Sequence, residues 1–287
     1  MPAQRERRVT LRAQWLGQIL RELRTRRDLT LREAADYLQK DFSTVSRFEQ
    51  GTFPVRRGDL VALLDLYGID DAQQREMFTQ LCVDVWRTGW WEKYTEDEVW
   101  GSTIDYVWLE NRAHAMQVFA TLSAPGLLQT REYARALITT ANAGATEEQV
   151  ERWVELRMKR QRVLDREEPA EISVVLDEAA LRRPVADQAV MRAQIERLHE
   201  VAELPHVELQ VLPFAAGTHP SPDGAFTLLS LKEPFSTVAH IESPGGGIYL
   251  ERGDVDRLTG IYDRLQESSL DTAQSVRFLS ELDRDYQ

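Results

Sequence analysis

Ser43, Thr44, Ser46 and Arg47 surround two apolar positions, Val45 and Phe48, and two further arginines, Arg56 and Arg57, follow shortly after. On one short helix, that set could do hydrogen-bond chemistry on an extended anion. A guanidinium fork spans the two acceptors of a guanine edge, hydroxyls donate singly, and flanking arginines neutralise phosphates, which positions without specifying. Chemistry on a bound substrate has weaker support. The five histidines, His114, His199, His206, His219 and His240, form no HExxH pair, and His199 and His206 are separated by Pro205. His219 sits in the loop HPSPDG, with Asp177, Glu178 and Glu242 as the carboxylates that a metal or acid–base site would need. Without a matching motif, these read as surface or hydrogen-bonding residues. Ser221 and Ser243 lack the GxSxG context of a nucleophile, and Gly245-Gly246-Gly247 runs into IYLE, a hairpin turn rather than a phosphate cradle. No catalytic residue, metal site or cofactor is therefore expected, and the chain is read as not an enzyme.

The elements that must position the first group are helical. Leu16, Ile19, Leu20 and Leu23 make an apolar stripe over residues 11–27. Thr30 and Glu33 form a capping box that opens a second helix, whose stripe is Leu31, Ala34, Ala35 and Leu38. Asp41 is the expected N-cap of a third helix that ends at Gly51 and Pro54. Leu60, Leu63, Leu64 and Tyr67 mark a fourth, and residues 71–87 a fifth.

Charge separates this head from the rest. The 287 residues carry a net charge of −12, yet residues 1–60 hold 13 Lys and Arg against 8 Asp and Glu, leaving everything beyond strongly acidic. A basic head on an acidic body meets a polyanion with the head alone. The single cysteine, Cys82, excludes an internal disulfide framework and a Cys-rich zinc site. No run reaches the ~18 apolar residues of a membrane helix, and the basic N-terminus lacks an apolar signal region, so a cytoplasmic protein is expected.

Five of seven tryptophans, Trp86, Trp90, Trp91, Trp100 and Trp108, fall between 86 and 108. Such density marks an interdomain core, a partner surface or a ligand pocket; Trp90, Trp91, Trp100 and Trp108 are the candidate ligand or partner contacts. Beyond it, helices are read over 130–141, 146–167 and 187–203, and strands over 171–176, 207–212, 225–231, 237–242 and 248–251, giving a sheet of four or five strands. The basic run Arg157, Lys159, Arg160 and Arg162 reads as a solvated, ion-paired face, because Glu148–Arg152 and Glu155–Lys159 stand at i, i+4. The ending, 254–284, is helical. There Val255, Leu258, Tyr262 and Leu265 follow a 3-4-3 step that fits either packing on the sheet or a dimer seam.

The run LTLREAADYLQKDFSTVSRFEQG, residues 29–51, resembles the helix-turn-helix of the XRE (lambda-repressor/Cro-like) family. The resemblance implies an all-α head in which Phe42, Ser43, Thr44, Ser46 and Arg47 face the major groove, with Arg32, Arg56 and Arg57 on phosphates. Gln39 replaces the family's turn glycine, which implies a looser or longer turn. Phe42 replaces a polar residue, and packs on a thymine methyl rather than reading a base edge. The body resembles the C-terminal domain of the Scr1 family of actinobacterial regulators. It does so in Pro125-Gly126-Leu127-Leu128-Gln129-Thr130, Tyr133-Ala134-Arg135-Ala136, Arg157, Arg160-Gln161, Asp177 to Arg182, Val211-Leu212-Pro213-Phe214, Gly217, His219, Gly224, Phe226, Leu228, Leu229 and Glu242. The two resemblances imply a regulator bound to double-stranded operator DNA, often acting with a small companion protein.

The expected architecture is thus a lambda-repressor-like helix-turn-helix head (11–87), an aromatic junction (88–110) and a mixed α/β (α+β) body (111–287). Its expected state is a homodimer without membrane contact. Two rival functions remain: a protein-interaction adaptor with a degenerate helix-turn-helix, and a toxin-like or hydrolase effector body restrained by a companion.

Overall fold

The computed structural model describes residues 10–86, 101–232, 235–244 and 246–285. The chain divides into two compact units, Met1–Lys93 and Tyr94–Gln287.

The first unit is helical: α1 (Leu11–Arg26), α2 (Leu31–Tyr37), α3 (Phe42–Glu49), α4 (Arg57–Leu66) and α5 (Ala72–Trp86). The stripes read from the sequence are its core, with Leu16, Leu20, Ala34, Ala35, Val45, Phe48, Leu60, Leu63, Leu64 and Tyr67 all buried. Small residues set the closest approaches. A Cβ on Gly17 would lie 2.5 Å from the Phe48 carbonyl oxygen, so α1 and α3 meet at a position only glycine can fill.

The first described element of the second unit is α6 (Gly101–Arg112), which passes without a break into β1 (Ala113–Ala120). There follow α7 (Arg131–Ala141), α8 (Glu147–Arg160), β2 (Glu171–Asp177), α9 (Glu178–Arg182), α10 (Gln188–Ala202) and β3 (Val207–Leu212). The antiparallel strands β4 (Phe226–Leu231), β5 (Val238–Ser243) and β6 (Gly246–Leu250) come next, then α11 (Gly253–Ser268) and α12 (Thr272–Asp285). The sheet has six strands in the order β3-β2-β1-β4-β5-β6. β1 pairs in parallel with β2 and antiparallel with β4, so it joins a parallel half to a hairpin half.

The expectation of four or five strands missed β1. Its sequence, AHAMQVFA, is rich in helix formers, and burial on both faces removes the alternation that marks a strand. Pairing on both edges overrides that local preference. The helix expected over 146–167 is also shorter, ending at Arg160 and continuing only as a single 3-10 turn, Gln161–Val163.

Side chains on alternate positions cover two faces of the sheet. One holds Phe119, Val175, Leu212, Phe226, Leu228 and Ala239, packed against Val255, Leu258, Tyr262 and Leu265 of α11. The 3-4-3 stripe is therefore spent inside its own domain and forms no dimer seam. The opposite face carries the row Thr227, His240 and Tyr249 across β4, β5 and β6, with the Tyr106 ring of α6 4.5 Å from that of His240.

Candidate nucleic-acid interface

Local chemistry positions the third helix of the head. Thr30 and Glu33 complete the capping box that starts α2, and the two hydrogen bonds from Thr30 hold the Glu33 carboxyl below its usual range. The α2–α3 turn is tight rather than loose. Gln39 takes the left-handed conformation at φ 54°, and the Lys40 amide donates to the Ala35 carbonyl, as a glycine turn would allow. Gln39 thus keeps the short turn that glycine normally supplies, at the steric cost of a Cβ in this region. Asp41 occupies the N-cap backbone position of α3 without a side-chain capping bond.

A buried ion pair fixes the other end of α3. Arg24 Nε and Nη2 donate to Glu49 Oε1 and Oε2 at 2.6 and 2.9 Å, and Nη1 donates to the Leu29 carbonyl at 2.6 Å. These bonds hold the Arg24 guanidinium above its ordinary value and clamp α1, the following loop and α3 together. Arg27 closes α4 by donating to the Tyr67 and Gly68 carbonyls, Lys40 pairs with Asp59, and Arg75 pairs with Asp65. Cys82 donates to the Val55 carbonyl, and burial pushes its thiol up to about 11, which makes it an inert core residue.

After these commitments, Arg32, Arg47, Arg56 and Arg57 stand exposed with no ion pair among the described residues. Val45 and Phe48 turn inward while Phe42, Ser43 and Arg47 are exposed and Thr44 and Ser46 half-buried. All the residues read as DNA contacts therefore lie on α3, on the first turn of α2 or at the start of α4. Arg56 is the N-cap of α4 and makes no side-chain capping bond, so the first amides of that helix join two guanidiniums at one end.

Sequence reasoning missed Phe53. Its ring stacks with Phe48 at 6.0 Å, and the Arg47 guanidinium lies over it 5.3 Å from the centroid, while Arg47 Nε donates to the Ser43 carbonyl at 3.3 Å. The support is a cation–π contact rather than the carboxylate partner a surface arginine commonly finds. An aromatic just after the glycine that ends the helix was the available signal. Three aromatics flank this surface, with Tyr37, Phe42 and Phe53 exposed by 51%, 53% and 43%.

Of the tryptophans read as ligand contacts, Trp90, Trp91 and Trp100 lie outside the described residues. Trp108 is a core residue of the second unit, edge-on to Phe235 and under the Arg112 guanidinium. The residues that carried the second resemblance converge elsewhere. Gln161 donates to the Gly126 and Gln129 carbonyls, Gln129 to the Ala124 carbonyl, and Gln194 to the Leu128 carbonyl. This knot ties the turn after β1 to the end of α8 and to α10.

The basic run at the end of α8 is a solvated, ion-paired face only in part. Arg160 is buried and donates from Nε and Nη2 to the two oxygens of Glu110, a fully buried carboxylate on α6, at 3.0 and 2.8 Å. Burial opposes the charge on Arg160, but Glu110 outweighs it and holds the guanidinium above its ordinary value. Lys159 does pair with Glu155, and Arg162 is exposed. The i, i+4 pairs thus describe one side of α8, while Arg157 and Arg160 turn inward on the other.

Of the carboxylates considered for a metal or acid–base site, Glu242 is exposed, Asp177 Oδ2 stands 4.0 Å from His219 Nε2, and Asp177 and Glu178 also make bonds within the fold. Asp177 Oδ1 caps α9, and Glu178 accepts from Arg182 and from the Phe214 amide. Among the described residues no group of three His, Cys, Asp or Glu is arranged to hold a metal, and no described helix is long and apolar enough to cross a membrane.

Residues 15–77 match a family described as "Helix-turn-helix domain", and residues 103–281 match one described as "Domain of unknown function (DUF5753)". No curated protein and no solved structure matches the chain. The first match covers the head in which α2 and α3 form the helix-turn-helix, and supports a DNA-binding regulator. The second covers more than half of the chain and contains the whole six-stranded sheet. The chain belongs to the DUF5753 family and carries a helix-turn-helix domain ahead of the domain that defines it.

Proposed function

We propose that the protein is a sequence-specific transcriptional regulator of the XRE kind, whose Scr1-like C-terminal domain responds to a ligand or to a small companion protein. The observation that carries this reading is the division of arginines in the head. Arg12, Arg24, Arg27 and Arg75 are bonded within the fold, while Arg32, Arg47, Arg56 and Arg57 are left exposed around α3, and Arg21 and Arg26 are exposed on α1. In the proposed complex α3 enters the major groove, Arg47 reads a guanine edge from its perch on Phe53, and Arg56, Arg57 and Arg32 hold phosphates. Phe42 packs on a thymine methyl beside Ser43, Thr44 and Ser46. A homodimer would place two such helices on half-sites ~34 Å apart or a multiple of that. The body performs no reaction in this reading, and the protein works in the cytoplasm on the nucleoid.

The test is genome-wide footprinting of the tagged protein, followed by binding to the recovered sites. Arg47→Ala should weaken specific binding by about 1–3 kcal/mol and relax preference at one base position, with Arg56→Ala instead flattening the salt dependence by about one phosphate. Equal loss on specific and random DNA would reduce Arg47 to a phosphate contact. One observation favours the adaptor as a second reading: exposed Tyr37 and Phe42 flank the helix-turn-helix, and aromatics of this kind anchor protein interfaces. The absence of discrete genomic sites would select it.

A further inference from the structure

Arg157 lies on α8 one turn before Arg160, beside a buried ion pair that does not include it. It is half-buried, and burial pulls its guanidinium down to about 10, with the adjacent Arg160 charge acting in the same direction. Nη1 donates to Gln129 Oε1 at 2.9 Å. Nε and Nη2 have no partner among the described residues, and neither nitrogen is sealed from solvent. Glu110 neutralises Arg160 through a two-point contact, and Glu242, exposed on β5, favours the Arg157 charge more than Glu110 does without being bonded to it. Among the described residues, Arg157 therefore sits in a desolvated place bonded to one amide oxygen and to no carboxylate. A charge held in such a place without a bonded counter-charge is costly.

The open edge has a definite shape. In Arg160 the same two nitrogens, Nε and Nη2, bind the two oxygens of Glu110. The turn above the two arginines carries glycine: a Cβ on Gly126 would stand 3.7 Å from Arg157 Nε and 3.7 Å from Arg160 Nη2. Any longer side chain there would lie across the guanidiniums. Gln129 and Gln161 hold that turn in place, so the edge is set before anything binds to it.

We propose that Arg157 is the anchor of an anion-binding site in the C-terminal domain, and that its ligand is a small organic acid whose carboxylate takes the Nε–Nη2 edge as Glu110 takes that of Arg160. Two parallel charge-assisted hydrogen bonds would give the guanidinium a bonded counter-charge. The site gives a chemistry to the sensing half of the regulator reading and rests on that reading only for its consequence at the DNA.

The test uses the full chain without DNA. Sodium acetate, sodium benzoate and inorganic phosphate are each titrated calorimetrically, with sodium chloride matching the ionic strength. Saturable one-site binding of a carboxylate is expected, weakened about ten- to a hundred-fold in Arg157→Gln and unchanged in Arg162→Gln, which alters an exposed arginine nearby. Should Arg157→Gln fold poorly, the Arg157 Nε–H resonance of the wild-type protein is followed instead, and it should move to saturation with the same probe. Absence of saturable carboxylate binding, or undiminished binding in Arg157→Gln, would overturn the site. Phosphate binding more tightly than either carboxylate would overturn the assignment of the ligand. DNA affinity with and without benzoate is measured separately, so a failure of coupling is distinguishable from a failure of the site.

Discussion

The two units use one device, an arginine gripping a buried glutamate with two parallel hydrogen bonds, and differ in what they do with the arginines left over. In the head, Arg24 and Glu49 clamp α1 to α3, and the spare guanidiniums of Arg32, Arg47, Arg56 and Arg57 are exposed. In the body, Arg160 and Glu110 clamp α8 to α6, and Arg157, one turn earlier, is turned inward beside them while Arg162 is exposed. Spare charge spread over a surface suits a polyanion, because each contact releases counterions and adds to a common binding energy. Spare charge held in a desolvated place suits a single anion met at one point. In the proposed readings the same residue type would serve two partners of different size, with burial deciding which.

The largest test of this comparison removes the carboxylates. Glu110→Ala leaves Arg160 buried without its partner and should cost about 3–5 kcal/mol, as should Glu49→Ala for Arg24. Urea unfolding of the full chain measures both. A cost below about 1 kcal/mol at Glu110 would mean that water reaches the pair, and the contrast between the units would lose its basis.

Acid should find the body through His240. Burial, aided by the Arg160 charge, holds the His240 imidazole down at about 4. Above pH 6.5 it is neutral in the folded and the unfolded chain alike. As pH falls from there toward 4, only the unfolded chain takes the proton, so stability present at neutral pH is lost, by about 2 kcal/mol at pH 5. His240→Gln should remove that part of the pH dependence. Identical slopes for the two proteins between pH 7 and 5 would show that another group carries it.

The smallest effect belongs to the head and is a gain. Gln39→Gly should stabilise it by about 0.5–1 kcal/mol, because glycine adopts the positive φ of the α2–α3 turn without steric cost. Loss of stability on this substitution would mean that the glutamine side chain contributes more than its backbone strain takes away.

The two units also differed in how readily their sequences could be read. Each of the five helices of the head is local. A capping box at Thr30 and Glu33, a stripe such as Leu60, Leu63, Leu64 and Tyr67, and a glycine at 51 fix their own neighbourhoods, and the packing follows them. The body's helices and hairpins were legible for the same reason. β1 was not, since AHAMQVFA becomes a strand only through neighbours 50 or more residues away: Ala115 lies opposite Glu171, and Phe119 opposite Phe226. The spacing on α8 located the exposed pairs and gave no sign of what faces Arg157 and Arg160, because Glu110 and Gln129 come from other elements.

By itself, then, the sequence determined the helix-turn-helix, the polarity of the two units and which residues of α3 turn inward and which reach its surface. Those properties depend on spacing within a helix and on composition. The tertiary structure alone decided that Arg47 rests on Phe53, that the 3-4-3 stripe of α11 is interior, and that a basic run holds one arginine on a carboxylate and another on an amide oxygen. A guanidinium can pair, stack or stand open, and its choice is set by whatever the fold brings within about 3 Å of it, which no spacing along the chain records.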